Sequence, residues 1–168
     1  MKKIILTILV ALPLAAAAQT LKLGHFNSHD VMQSMPEMAA AQTELNAQIK
    51  KHDDEYMRIA TLSQQAVEEF TAVRDSLPAN IADRRQKEML EQGQKVQEYA
   101  QFADQDLQEL QRKLLEPIVV KLNAAVQAVG DAEGMTYIFN IANVDIPYVN
   151  EKTSIDLTPA IKTRLGIR

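Results

Sequence analysis

The chain has 168 residues, a formal net charge of −4, no cysteine, no tryptophan and few aromatic residues. The missing cysteine excludes a disulfide framework, a thiolate metal site and a thiol nucleophile. The acidic balance argues against nucleic acid, whose phosphates need clustered Lys and Arg, and the scarce aromatics argue against a large aromatic-lined ligand pocket.

Residues 1–18 read as an export signal. Lys2 and Lys3 give a charged start, Ile4 to Leu14 an apolar stretch, and Ala15 to Ala18 a small-residue run whose Ala16-x-Ala18 pattern marks a cleavage site before Gln19. The apolar stretch is shorter than the roughly 20 residues a bilayer span needs. No cysteine follows it to carry a lipid. The expected destination is a bacterial periplasm. The mature chain, from Gln19, holds 16 basic and 22 acidic residues, a net charge of −6.

Leu21 to Asn27 reads as a short strand, with Leu21, Leu23 and His25 alternating against Lys22, Gly24 and Phe26. Ser28 is placed to cap a short helix running to Met35. Ser34 and Glu37 then form a capping-box pattern, with Pro36 in the first turn of a new helix.

That helix is predicted from Pro36 to about Asp75. Its apolar seam is spaced alternately three and four: Met38, Gln42, Leu45, Ile49, His52, Tyr56, Ile59, Ser63, Ala66, Phe70, Val73 and Leu77. A 3.5-residue period of this length marks a helix packed along another helix. The polar exceptions include His52, read as a register-setting position. Leu77-Pro78 breaks the helix, and Asn80 with Asp83 is placed to cap the next. A short break between two long helices makes an antiparallel hairpin.

The returning helix carries a looser seam of Met89, Val96, Ala100, Ala103, Leu107, Leu110 and Leu114. Gly93 weakens it by roughly 1 kcal/mol relative to alanine. Pro117 is expected to kink or restart the helix. Beyond it the stripe thickens through Ile118, Leu122, Val126 and Val129, which points to a real core. Gly130 and Gly134 bracket the helix end.

Thr136–Ile141 and Val144–Asn150 are rich in β-branched and aromatic residues and read as a β-hairpin, with Pro147 demoting part of the second strand. Thr158-Pro159 is placed to cap a last short helix, Pro159 to Leu165, ended by Gly166.

The expected fold is α+β and predominantly helical. A small α+β body, residues 19–35 plus 117–168, carries a long antiparallel coiled-coil hairpin arm, residues 36–116. The body is only 69 residues long, and cores of that size are marginal alone. Its three strands leave open edges that recruit partners. A homo-oligomer follows, in which several subunits bury those edges in a shared sheet or barrel. Its interface is expected at Leu21, Leu23, Phe26, Tyr137, Phe139, Ile141, Val144, Ile146 and Tyr148.

No phosphate-cradling glycine loop and no nucleophile elbow is present. His25, His29 and Asp30 lie close in sequence, but a strand-to-turn change between the two histidines breaks helical ligand spacing, so no metal site is expected. No cofactor is expected either. Apolar residues off the seams, Met57, Leu62, Val67, Tyr99 and Phe102, serve either to widen helix packing or to contact loosely held apolar chains.

The opening LKLGHFNSHDVMQSMPE, the long hairpin, and the closing EPIVVKLNAAVQAVGDAEGMTYIFN with IDLTPAIKTRLG resemble the Skp/OmpH family of periplasmic chaperones for outer-membrane proteins. The resemblance implies a homotrimer with a β-barrel body and three arms. Unfolded outer-membrane β-barrel proteins would be held between the arms without ATP, and no catalytic residue exists to carry over. Well-known members of the family are basic, with positively charged arms, whereas here residues 36–116 hold 16 acidic and 10 basic residues. Weak or no anionic-lipid binding is therefore expected, and a different client set. The alternative is a coiled-coil adaptor of the envelope that binds one folded partner.

Overall fold

The structure, a computed structural model, describes residues 21–142 and 145–167. The elements in chain order are β1 (Leu23–Phe26), α1 (Ser28–Gln33), α2 (Pro36–Val73), a 3-10 turn (Arg74–Ser76), α3 (Ala79–Glu133), β2 (Tyr137–Asn140), β3 (Ser154–Asp156) and α4 (Thr158–Arg164). The predominantly helical α+β composition matches the sequence pattern. The export signal expected at residues 1–18 lies outside the described residues.

The two long helices α2 and α3 form the arm. At about 1.5 Å per residue, α2 alone extends close to 60 Å. The 3-10 turn and Leu77-Pro78 reverse the chain, and Leu77 leaves the helix with extended backbone, as a residue before proline prefers. The helix α3 begins at Ala79 after Pro78, so Asn80 is inside it and caps nothing. Pro117 also lies inside α3, which runs on without a restart.

Local caps differ from expectation where tertiary partners compete. Asn27 rather than Ser28 caps α1: its side-chain oxygen accepts from the N–H groups of His29 and Asp30. Ser28 is instead tied to Asn140, whose Oδ1 accepts its N–H and whose Nδ2 donates to its hydroxyl. The Ser34–Glu37 box does not form. The Ser34 hydroxyl donates back to the Asp30 carbonyl, and Glu37 pairs with Lys121 across the root of the arm. A full charge partner on α3 outcompetes a local amide. At α4 the cap residue is Leu157, not Thr158. The Thr158 N–H donates to Asp156 Oδ1.

The sheet corrects the sequence reading most. Its order is β2-β1-β3, and both outer strands run parallel to β1. The expected β2–β3 hairpin is absent, because β2 and β3 flank β1 instead of pairing. Parallel neighbours need long crossovers; the arm supplies the first, and residues 141–153 the second. Residues 145–150 form no strand, so Ile146 and Tyr148 are loop residues, and Ile141 lies in the turn after β2. Pro147 has no N–H for a ladder. The chain then turns at Asn150, whose carbonyl accepts from the N–H groups of Thr153 and Ser154, and only there rejoins the sheet. Val144 lies outside the described residues. Among the described residues of one chain the sheet is three-stranded and open, not a closed barrel.

One face of the sheet is covered. Phe26, Val31, Leu122, Ala125, Val129, Leu157 and Ile161 form the core there, so the stripe beyond Pro117 does enter it. Gly24 permits the fit: a Cβ at that position would stand 2.7 Å from Leu157 Cδ1. Phe26 is 5% exposed in this core, which removes it from the expected subunit interface. Strand alternation sends Gly24 and Phe26 inward and leaves Leu23 and His25 on the other face. A second cluster of Met35, Ala41 and Ile118, flanked by Leu114 and Leu115, holds the root of the arm.

Candidate functional site

Two surfaces stand out, the uncovered face of the sheet and the middle of the arm. Parallel register aligns Leu23 with Tyr137 and Ser154, and His25 with Phe139 and Asp156. These pairs share the uncovered face. Tyr137 is 60% exposed there and Phe139 43%. A cavity of about 280 Å³ lies between this face and the loop that carries Ile146 and Tyr148. Within it, His25 Nδ1 is 2.8 Å from Ser154 Oγ. Leu23, Tyr137, Phe139, Ile146 and Tyr148 thus gather along one side of the body, while Leu21 is exposed ahead of β1 and Phe26 and the turn residue Ile141 do not join that face. The outer edges of β2 and β3 have no strand partner among the described residues.

Along the arm, the seam residues Leu45, Ile49, Ile59, Phe70, Val96, Leu107, Leu110 and Leu114 are buried or half-buried. Tyr56 and Val73 are exposed instead. A strict 3.5 period drifts by about 20° per heptad on a helix of 3.6 residues per turn, which carries some seam positions off the contact line. Met57, Leu62, Val67 and Phe102 are all exposed, with Met57 at 62%.

Tyr99, the remaining residue of that group, turns out to have an internal partner. His52 is buried between the two helices, with Nδ1 2.9 Å from the Tyr99 hydroxyl and Nε2 3.0 Å from Asp106 Oδ2. Gln48 Nε2 donates to the same carboxylate oxygen at 3.2 Å. The rings of His52, Tyr99 and Phe102 lie within 6.0 Å of one another, centroid to centroid. The hydrogen bonds from His52 and then Gln48 hold the Asp106 carboxyl below the usual carboxylate range. Desolvation, helped by the Glu55 and Asp106 charges, raises the Tyr99 phenol. Sequence reasoning found His52 but missed Gln48 and Asp106. The signal was available: folding the chain back at Leu77-Pro78 sets His52 opposite the stretch from Tyr99 to Asp106.

At the arm root, the Lys121 ammonium beside Glu37 lowers that carboxyl, mainly through its hydrogen bond. The neighbouring cleft is lined by Ala41, Leu114, Pro117 and Ile118.

Catalytic geometry is thin. Among the described residues no group of three His, Cys, Asp or Glu could hold a metal ion. His29 engages Gln33 on exposed α1, away from the His25–Ser154 pair. No described helix is long and apolar enough to cross a membrane.

The profile of the family described as Outer membrane protein (OmpH-like) matches residues 22–165. Among solved structures, the fold is similar to an OmpH-like protein from Caulobacter crescentus CB15, assigned there as a candidate outer membrane chaperone. The two share 17% identity at a TM-score of 0.70, over 85% of this chain and 82% of that one. A comparison with curated proteins finds no match. The family match spans both the sheet strands and the whole arm, and the chain belongs to the OmpH-like family, the Skp/OmpH group that its own segments resemble.

Proposed function

We propose that this chain is an ATP-independent holdase of the periplasm that keeps unfolded outer-membrane β-barrel proteins from aggregating. The observation that carries the reading is the arm itself. Two helices of 38 and 55 residues leave Met57, Leu62, Val67 and Phe102 exposed far from any core. Many weak apolar contacts from such a surface suit a chain with no fixed shape. Held that way, a client's strand edges are kept from one another. Membership of the OmpH-like family supports the reading, as does the chaperone assignment of the Caulobacter protein.

In this reading residues 1–18 direct export, residues 19–35 and 117–168 form the oligomerising body, and residues 36–116 hold the client. Subunits join through Leu21, Leu23, Tyr137, Phe139, Ile146 and Tyr148, so that the open sheets complete a shared barrel in a trimer. The arm supplies no catalytic step and needs no cofactor.

The test is the mass of the mature protein in solution, with and without an equimolar urea-unfolded outer-membrane barrel. A trimer that forms one soluble complex with the barrel is the expected result. A monomer or dimer that leaves the barrel to aggregate overturns it, and an adaptor for one folded partner then becomes the better reading.

A further inference from the structure

The charge on the arm is unevenly placed. Of its ten basic residues, four (Arg74, Arg84, Arg85 and Lys87) lie near the hairpin tip. The two shafts, residues 36–73 and 88–116, are left with 14 acidic and 6 basic residues. Three of those six basic side chains are already neutralised within the shafts, by Lys50–Asp54, Arg58–Glu55 and Lys113–Glu109. Glu37 and Glu88 pair with Lys121 and Arg84 outside the shafts, and Glu44, Asp53, Glu68, Glu69, Glu91, Glu98, Asp104 and Glu116 have no ion-pair partner among the described residues.

These carboxylates stand beside the exposed apolar side chains. Asp53 is one turn before Met57, Glu69 two turns beyond Leu62, and Glu98 one turn before Phe102. All three acidic residues are exposed and none forms an ion pair among the described residues. Met57, Leu62 and Phe102 thus each have an unneutralised negative neighbour within two turns on their own helix, whereas Val67 has none at that spacing and Lys95 stands two turns before Phe102. A segment that seats an apolar side chain at one of those three brings its flanking residues against that negative charge. Lysine or arginine in those flanks is attracted, and aspartate or glutamate is repelled.

We infer that the arm shafts select unfolded segments whose apolar residues are flanked by basic ones, so that client choice is set by charge complementarity at Met57, Leu62 and Phe102. This rests on the holdase reading and adds to it the chemical class of the client segment. Like-charge rejection does as much of the selection as attraction. The basic tip is excluded from this surface by its opposite sign.

The test uses the full mature protein and two short peptides with the same apolar centre, one flanked by lysines and one by glutamates. Binding is read by fluorescence anisotropy, beside a light-scattering assay on a urea-unfolded outer-membrane barrel. At about 50 mM salt the lysine-flanked peptide is expected to bind at least tenfold tighter, and at about 0.5 M salt the difference shrinks, because exposed charges are then screened. The variant Asp53→Asn with Glu69→Gln and Glu98→Gln loses most of the preference. The variant Asp53→Lys with Glu69→Lys and Glu98→Lys inverts it. Circular dichroism of both variants checks that the helices are intact.

Equal binding of the two peptides, tighter binding of the glutamate-flanked one, or binding of neither overturns the inference. The scattering assay separates the two ideas. A barrel kept soluble alongside any of those results leaves the holdase reading standing without its charge selectivity, and an aggregating barrel removes both.

Discussion

His52 Nε2 lies 3.0 Å from Asp106 Oδ2, across the arm and 54 residues away in sequence. His52 also reaches the Tyr99 hydroxyl, so one imidazole ties α2 to two successive turns of α3. An apolar seam alone tolerates sliding by a heptad. A buried polar residue with partners at one register does not, since slippage leaves it unsatisfied. The cluster therefore fixes which residues of the two helices face each other, and with them where Phe102 emerges.

The first prediction follows from that coupling. His52→Ala and Asp106→Ala each accelerate amide exchange in the middle of the arm by about tenfold, and the double variant adds little to either, because both remove one interaction. Hydrogen exchange on the two singles and the double checks this. Fully additive effects would mean that the pair does not act as a unit.

The same pair sets an acid limb. Folding lowers the Asp106 pKa, so the unfolded chain holds that proton more tightly than the folded one. The Asp106 contribution is complete above the ordinary carboxylate value of about 4 and is lost as pH falls through the lower folded value. Glu37, lowered by Lys121, adds a loss of the same sign. Melting followed by circular dichroism is expected to show stability falling on acidification below that range. Asp106→Asn should be less stable near neutral pH and show a shallower acid decline.

The arm was legible in the sequence because its signal is local and repeated: a dozen seam positions, a proline at the break, a glycine at the end. The body was less so. Ser28 and Glu37 take partners that a local rule cannot see, Asn140 and Lys121. Ser154–Asp156 has little strand signal, and becomes a strand because β1 offers a parallel edge once Asn150 has turned the chain. Val144–Asn150 had the better β composition but carries Pro147. The apolar character of Tyr137 and Phe139 was plain, while the face they share with Leu23 depends on the parallel register.

Pro117 sits in the interior of α3 and is exposed, so no packing compensates for the backbone hydrogen bond its ring removes. Such a residue destabilises a helix by about 3 kcal/mol. Pro117→Ala is therefore expected to raise stability by up to that amount in urea unfolding at fixed protein concentration. It should also slow amide exchange near the arm root. A loss of stability would show that α3 is built around the proline.

The core of the body has a clear anchor in Ile161, which is fully buried against the sheet. Ile161→Ala should cost about 2–5 kcal/mol. Val120 is 62% exposed on the same helix that supplies Leu122, and Val120→Ala should stay within about 0.5 kcal/mol. Urea melts of the two variants, side by side, separate burial from mere apolarity.

The last prediction concerns the uncovered sheet face. Tyr137 and Phe139 are neighbours on β2, with ring centroids 6.2 Å apart, and neither belongs to the chain's own core. Two exposed rings on an edge strand stand at the centre of the proposed interface, where a carboxylate would be buried without a partner. Phe139→Asp, and separately Tyr137→Asp, should give a monomer by light scattering where the unaltered chain gives the proposed oligomer. The helical circular dichroism should persist, because Phe26, Leu157 and Ile161 pack on the opposite face. An unchanged mass in both variants would place the subunit contact elsewhere. A collapse of helical signal with the mass would show that the body cannot stand without its partners, as its small core anticipates.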